Sequence, residues 1–246
     1  MGIPFPFPPF FLPSSVPRPV PVALLARWCV LLRTKTLRSD SSEEDSFAIE
    51  RALFAQGYPV VAGTDEAGRG PLAGPVVAAC VVLPSVCAHQ QFRDSKTLSA
   101  GVRADLVARL GEIGALVGVG VVSASEIDRI NILQASLLAM KKAVEALPFT
   151  PDFLLVDGKF QVGLPLPQQA LVRGDSRSAS IAAASIVAKV TRDSLMEQYH
   201  KQYPQYGFHR HKGYPTAEHR RILEEIGPCA IHRRSFQPVR QWLATE

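Results

Sequence analysis

Cysteine is scarce in this chain, and the four present, Cys29, Cys80, Cys87 and Cys229, include no CxxC pair and no zinc-type spacing with histidine. That excludes a zinc ribbon and leaves no disulfide framework, so a reducing cytoplasm is the expected setting. Long apolar runs are missing as well. Residues 16–32, the most apolar early stretch, are broken by Pro17, Arg18, Pro19, Pro21 and Arg27, and no run of 18 apolar residues occurs, which excludes a transmembrane helix. There is no GxxxxGK[ST] phosphate loop and no GxSxG elbow. The turn Gly68-Arg69-Gly70-Pro71 lacks the spacing of a dinucleotide fingerprint, and Pro71 interrupts the helix such a fingerprint must open. Acidic side chains are absent from the first 39 residues, which carry five basic ones.

What remains is a chain of 246 residues, 47% of them hydrophobic, enough for a sizeable core. The net charge of +5 is unevenly spread: residues 40–172 hold 10 Lys and Arg against 15 Asp and Glu, whereas 173–240 hold 12 against 6 and five of the six histidines. An acidic part beside a basic part suits a metal site next to a surface that grips a polyanion; a solvated basic helix face accounts for the basic half equally well. Eight of the 20 prolines fall in the first 22 residues, among Phe5, Phe7, Phe10 and Phe11. Such a composition forms neither a helix nor a central strand. Residues 1–45 are therefore expected to be a disordered extension, with a start codon set too far upstream as an equal alternative, and 46–246 to be the folded domain.

Within 46–246 the patterns predict a short helix at 47–55, strands at 58–64, 75–83 and 115–123, and a helix from Ser99 to Leu110 with Val102, Leu106 and Leu110 on one face. One or two helices follow over 125–147, then short strands at 153–156 and 170–172 and helices over 178–202 and 216–226. Three strands followed by strands alternating with helices indicate an α/β fold, a mixed five-stranded sheet flanked by helices with a helical C-terminal part.

The candidate chemistry lies at strand ends. The runs VVAGTDE, FLLVDG and ALVRGD close on Asp65 and Glu66, on Asp157, and on Asp175. A single strand-end Asp is more often a turn former. Three such ends at one sheet edge, where α/β proteins bind ligands, crowd carboxylates that repel unless cations lie between them. Hard oxygen ligands without Cys or His favour Mg2+ or Mn2+, and two such ions suit an in-line phosphoryl displacement. Gly68 and Gly70 flank Arg69, so backbone can approach a phosphate or sugar edge beside a guanidinium.

The segments DEAGRGPLAGPVVAA from Asp65, DSKTL at 94–98, VDG at 156–158, GDSRSASIAAASIVAKVTRD at 174–193, YGFHRHKGYPTAEH at 206–219 and GPCAIHRRSF at 227–236 resemble the bacterial ribonuclease HII family. The resemblance runs from about residue 50 to the C-terminus, and its first motif alone is highly specific. It implies an RNase H-like fold, Mg2+ or Mn2+ as cofactor with two ions in the catalytic complex, and hydrolysis of RNA in RNA-DNA hybrids and of single ribonucleotides embedded in duplex DNA. The implied cut is on the 5′ side of the ribonucleotide, leaving 3′-hydroxyl and 5′-phosphate ends, as ribonucleotide removal in DNA replication and repair requires. It also implies that Asp65, Glu66, Asp157 and Asp175, the acids singled out above, are the catalytic metal ligands. By the same resemblance Gly68, Arg69 and Gly70 contact the ribonucleotide 2′-hydroxyl and adjoining phosphate, Ser95 and Lys96 contact a phosphate, and Tyr214 packs on the following sugar. A core position before the Pro215 turn stays open for Tyr214, and a solvated loop for Ser95 and Lys96. Lys189, Arg192, His209, His211 and Lys212 are further candidates for phosphate contacts, whereas Asp94 and Asp193 are set aside as metal ligands. The expected partners are the hybrid and ribonucleotide-containing duplexes, without a membrane, and the expected state is a monomer. A hybrid nuclease without junction preference, a non-catalytic nucleic-acid-binding module and a metal phosphatase are the rivals.

Overall fold

The structure, a computed structural model, describes residues 45–92 and 98–244. Ser95, Lys96 and almost all of the expected extension lie outside the described residues. The strands β1 (Val61–Ala67), β2 (Val76–Val82), β3 (Leu116–Val122), β4 (Phe153–Asp157) and β5 (Gln168–Leu171) form one sheet in the order β3-β2-β1-β4-β5. The first three pair antiparallel, while β4 and β5 continue the sheet parallel to β1. The helices are α1 (Ala48–Ala55), α2 (Ala100–Glu112), α3 (Ala124–Glu145), α4 (Ala179–Gln202), the single turn α5 (Phe208–His211), α6 (Ala217–Ile226) and α7 (Val239–Leu243). The mixed five-stranded sheet with flanking helices is the expected architecture.

Both sheet faces are covered, which is why β2 reads VVAACVV with no polar alternation. On one face α3 brings Ile127, Ala139 and Met140 against Ala62, Val76, Ala78 and Leu154. On the other, Leu53 of α1 and Ile181 of α4 join Val61, Leu155 and Leu171. Helix α4 lies almost on the sheet backbone: a Cβ on Gly63 would fall 2.3 Å from the Ile181 amide nitrogen, so only glycine fits there. A third cluster, including Leu72, Met196, Phe208, Leu223 and Val239, packs the C-terminal helices against the turn after β1.

Helix starts follow side-chain caps. Ser99, Ser123, Ser178 and Thr216 each accept a bond from the amide three residues on and open α2, α3, α4 and α6. The open question of one helix or two over 125–147 resolves as a kink: Asn131 has non-helical backbone inside α3, and its Oδ1 accepts from the amides of Leu133 and Gln134, recapping the second segment. On α2 the inward residues are Val107 and Leu110; Val102, expected on that face, is 45% exposed in the first turn.

Candidate active site

Strands β1 and β4 run in parallel with Thr64 opposite Val156, so Asp65 and Asp157 stand one step further along, at the same edge. The two acids of β1 are not beyond the strand's end, as the sequence suggests. β2 continues the antiparallel pairing through them, with Asp65 opposite Ala79 and Glu66 opposite Ala78. Alternation then separates the pair. Asp65 shares the face of Gly63, against α4, where Ser185 hydrogen-bonds its carboxylate. Glu66 is directed to the α3 side, where it borders a recess with Leu133 and Met140.

The electrostatics follow from this placement. Asp65 is 6% exposed, and burial, then Glu66 and Asp157, raise its carboxyl well above the usual range. The Glu66 amide (2.7 Å) and Ser185 oppose that rise without reversing it. Burial also raises Glu66, against the pull of Arg69, whose Nη1 is 3.0 Å from Glu66 Oε1. Three carboxylates thus disfavour one another's charge in a weakly hydrated place.

The chain comes back to the same edge at Gly174, the neighbour of Asp175, by a different route. β5 ends at Leu171, and Asp175 sits past it in a single 3-10 turn, Gly174–Ser176, so the expectation that this acid closes a strand is corrected. Arg173 takes a left-handed conformation (φ 55°) that swings the chain out of the sheet. The turn is fixed to the site by the Gly174 amide, which donates to Asp157 Oδ1 at 2.7 Å. Behind it, Ser178 donates to the buried Glu50 (2.6 Å), which also accepts from the Ser180 amide (3.0 Å), tying α1 to the start of α4. As the side chains stand, no three His, Cys, Asp or Glu among the described residues close around a metal ion. The all-oxygen donor set and the repulsion that raises Asp65 nevertheless fit a hard divalent cation, which would relieve that repulsion.

Gly68, Arg69, Gly70 and Tyr214 line one cleft of about 360 Å³ together with Glu66 and Lys189. Tyr214 is 40% exposed and its ring lies 3.7 Å from where a Gly70 Cβ would be, so it is a cleft wall and not a core residue. Arg103 and Ser185 also line the cleft, and on the far side of Glu66 the recess is completed by Asp157, Lys159 and the 53% exposed Phe160. Sequence reasoning passed over these last residues, although Lys159 and Phe160 directly follow VDG.

Two of the expected phosphate contacts are corrected, those of Arg192 and His211. Arg192 is 1% exposed and donates to the carbonyls of Pro75 (3.1 Å) and Ala73 (3.2 Å), so it is committed inward. His211 is buried, with its ring nitrogens bonded to Tyr206 O and the Gly213 amide. Lys212 pairs with Glu197 at 3.0 Å, and the exposed His209 lies tilted against His200; both stand outside the lining of this cleft, on the surface beyond it. Lys189 does line it and pairs with Asp193 at 2.7 Å, which accounts for that acid away from the carboxylate group. Of the described cysteines, Cys80, Cys87 and Cys229 are free, and none of the described helices is long and apolar enough to cross a membrane.

Comparison with known proteins places the chain in a family. The ribonuclease HII family profile matches residues 62–239. A ribonuclease HII of Desulfotalea psychrophila is 57% identical over 203 residues, covering 81% of this chain and 90% of that protein. The crystal structure of ribonuclease H2 from Pyrococcus horikoshii OT3 superposes with a TM-score of 0.63 at 27% identity, over 76% of this chain and 98% of that one. Bst-RNase HIII in complex with Mn2+ shares the fold at 19% identity, with a TM-score of 0.61 over 91% of this chain and 80% of its own. With most of both chains aligned at more than half identity, and with the RNase H-like fold shared, this protein belongs to the ribonuclease HII family and is a ribonuclease H endonuclease.

Proposed function

We propose that the protein hydrolyses RNA in RNA-DNA hybrids and cuts duplex DNA on the 5′ side of an embedded ribonucleotide, leaving 3′-hydroxyl and 5′-phosphate ends, as a step in clearing ribonucleotides during replication and repair. The observation that carries this reading is the adjacency of Asp65, Glu66 and Asp157 to a cleft walled by Gly68, Arg69, Gly70 and Tyr214. One wall offers carboxylate oxygens for divalent ions; the other offers small residues, a guanidinium and an exposed aromatic ring for the sugar-phosphate chain.

Asp65, Glu66, Asp157 and Asp175 would hold Mg2+ or Mn2+, two ions in the catalytic complex, and bound there the ions would supply the activation of water and the stabilisation of the leaving oxygen. Arg69, already 3.0 Å from Glu66, is placed to balance a substrate phosphate next to the acids. Gly68 and Gly70 bring backbone within reach of a 2′-hydroxyl, the group that separates RNA from DNA. Tyr214 packs on the sugar that follows, where a second hydroxyl would crowd it, and so favours an RNA-to-DNA junction. Ser95 and Lys96 complete the phosphate contacts. The enzyme is proposed to act as a cytoplasmic monomer.

Tyr214→Ala separates this reading from that of a hybrid nuclease without junction preference. The variant is expected to lose cleavage of a single embedded ribonucleotide far more than cleavage of a continuous hybrid. Equal loss on both substrates would remove the junction role.

A further inference from the structure

Two arginines stand behind the Gly68-Arg69-Gly70 turn with nowhere to put their charge. Arg192 of α4 is 1% exposed and Arg233 of the C-terminal segment 0%, and among the described residues neither forms an ion pair. Every polar contact they make is to a backbone carbonyl. Arg233 donates from Nη2 to Gly68 O (2.6 Å) and Pro75 O (3.2 Å), from Nη1 to Arg69 O (2.9 Å) and from Nε to Gly74 O (3.0 Å). Arg192 adds its bonds to Ala73 and Pro75, and its Nη1 is buried without a hydrogen-bond partner. Burial of two guanidiniums without a direct ion pair is costly: burial, then the nearby Arg192, draws Arg233 down to about 9, and the more distant Asp128 opposes this only in part. A lysine could meet at most three of these four carbonyls from one point and an apolar residue none, so the planar, forked guanidinium is what satisfies the turn from behind.

The geometry of the turn shows what the charge does. In a trans peptide unit the C=O and N–H point in opposite directions. With Gly68 O and Arg69 O turned inward onto Arg233, the N–H groups of Arg69 and Gly70 point the other way, to the side of the cleft that these residues line. Neither N–H donates to another backbone group among the described residues. Gly68 is held at φ +98°, and a Cβ there would lie 2.1 Å from Arg192 Nε, so the turn is seated directly on the guanidinium. Arg192 also backs the opposite wall, with its guanidinium carbon 5.7 Å from the Tyr214 ring centre.

We infer that Arg233, backed by Arg192, is a positioning residue for substrate discrimination: it fixes the peptide units of the turn so that the Arg69 and Gly70 N–H groups face the cleft, and its buried charge polarises them toward a 2′-hydroxyl oxygen or adjoining phosphate. This rests on the ribonucleotide-cutting function proposed above. Arg233 bonds to the backbone of the turn and to none of the four acids, so the role is assigned to recognition and not to the chemical step.

The test measures affinity for a DNA duplex with one ribonucleotide and for the same all-DNA duplex, with Ca2+ replacing Mg2+ to stop turnover. Arg233→Lys keeps a charge but cannot span the carbonyls, and Arg234→Ala next to it is the control. The wild-type protein and the control are expected to prefer the ribonucleotide duplex, and Arg233→Lys to lose that preference by about tenfold with little change on all-DNA. Equal preference in a folded Arg233→Lys overturns the inference, whereas a wild type without preference overturns the function on which it rests. In case the variant does not fold, amide spectra of the 15N-labelled wild type give an independent readout. The Arg69 and Gly70 N–H signals should shift with the ribonucleotide duplex and much less with all-DNA; equal shifts contradict the inference.

Discussion

Asp65 is held in a place that disfavours its own charge, between Glu66, Asp157 and the packed face of α4. Asp65→Asn keeps the shape, retains a partner for Ser185 and removes one of the repelling charges. The variant is expected to lose cleavage by about 100-fold or more while binding duplex, and in chelating buffer to melt no lower than the wild type, because the removed charge was unfavourable there. Cleavage rates and calorimetry on the same preparation check both. A lower melting temperature would mean that Asp65 is a structural acid. The histidines give a pH prediction at the same scale. Cys229 N–H donates to His232 Nδ1 (2.9 Å), so the His232 proton is on Nε2, facing His219 Nε2 at 3.0 Å; the His219 proton is then on Nδ1 and is donated to Tyr214 O at 2.9 Å. This relay works only with both rings neutral, and burial lowers His219 to about 4 and His232 to about 3. With folded pKa values below the unfolded value near 6.5, the unfolded chain takes up protons first as the pH falls. Stability is therefore full above about pH 6.5 and declines toward pH 4, by on the order of a few kcal/mol. Urea unfolding at about pH 7 and pH 5 should show that loss, and His219→Gln should reduce it.

The helix α1 looks peripheral, yet it locates the fourth acid. Glu50 projects from it, 0% exposed, to accept from Ser178 and the Ser180 amide at the start of α4, three to five residues after Asp175. Glu50→Ala leaves those donors buried without an acceptor, and is expected to reduce unfolding free energy by roughly 1–3 kcal/mol. Urea titration measures it; an unchanged midpoint would show that water replaces the carboxylate. Glu50 also shows where sequence reading stops. The alternating and continuous apolar runs made all five strands legible, and serine and threonine caps marked most helix starts, because those signals are local. The acids were legible as types at the ends of such runs. Their surroundings were not: β1 passes through Asp65 and Glu66 because a partner strand continues there, and Asp175 lies on a turn whose anchor is 17 residues away in Asp157. Arg233 and Arg234 are adjacent and identical in type, but one is buried under the turn while the other lends its backbone amide to Asp128. Only the tertiary path distinguishes them.

At the scale of the molecule, the acidic and basic halves of the sequence meet in one cleft. β1 supplies Glu66 and the turn after it Arg69, and the C-terminal part supplies Lys189 and Tyr214. The described body from Ser46 onward carries every one of these residues, along with the cores that hold them. Removal of residues 1–39, with their proline-rich and acid-free composition, is accordingly expected to change cleavage by less than about twofold. A parallel assay of both proteins decides it, and a large loss would assign those residues a part in substrate binding. The central claim, that carboxylates and the glycine-flanked arginine act together on a ribonucleotide in DNA, is tested most directly by mapping the cut. The substrate is an end-labelled DNA duplex with a single ribonucleotide, incubated with Mg2+, Mn2+ or EDTA. One metal-dependent cut on the 5′ side of the ribonucleotide, abolished by EDTA, is the predicted result; an intact duplex alongside efficient cleavage of a continuous RNA-DNA hybrid would contradict it.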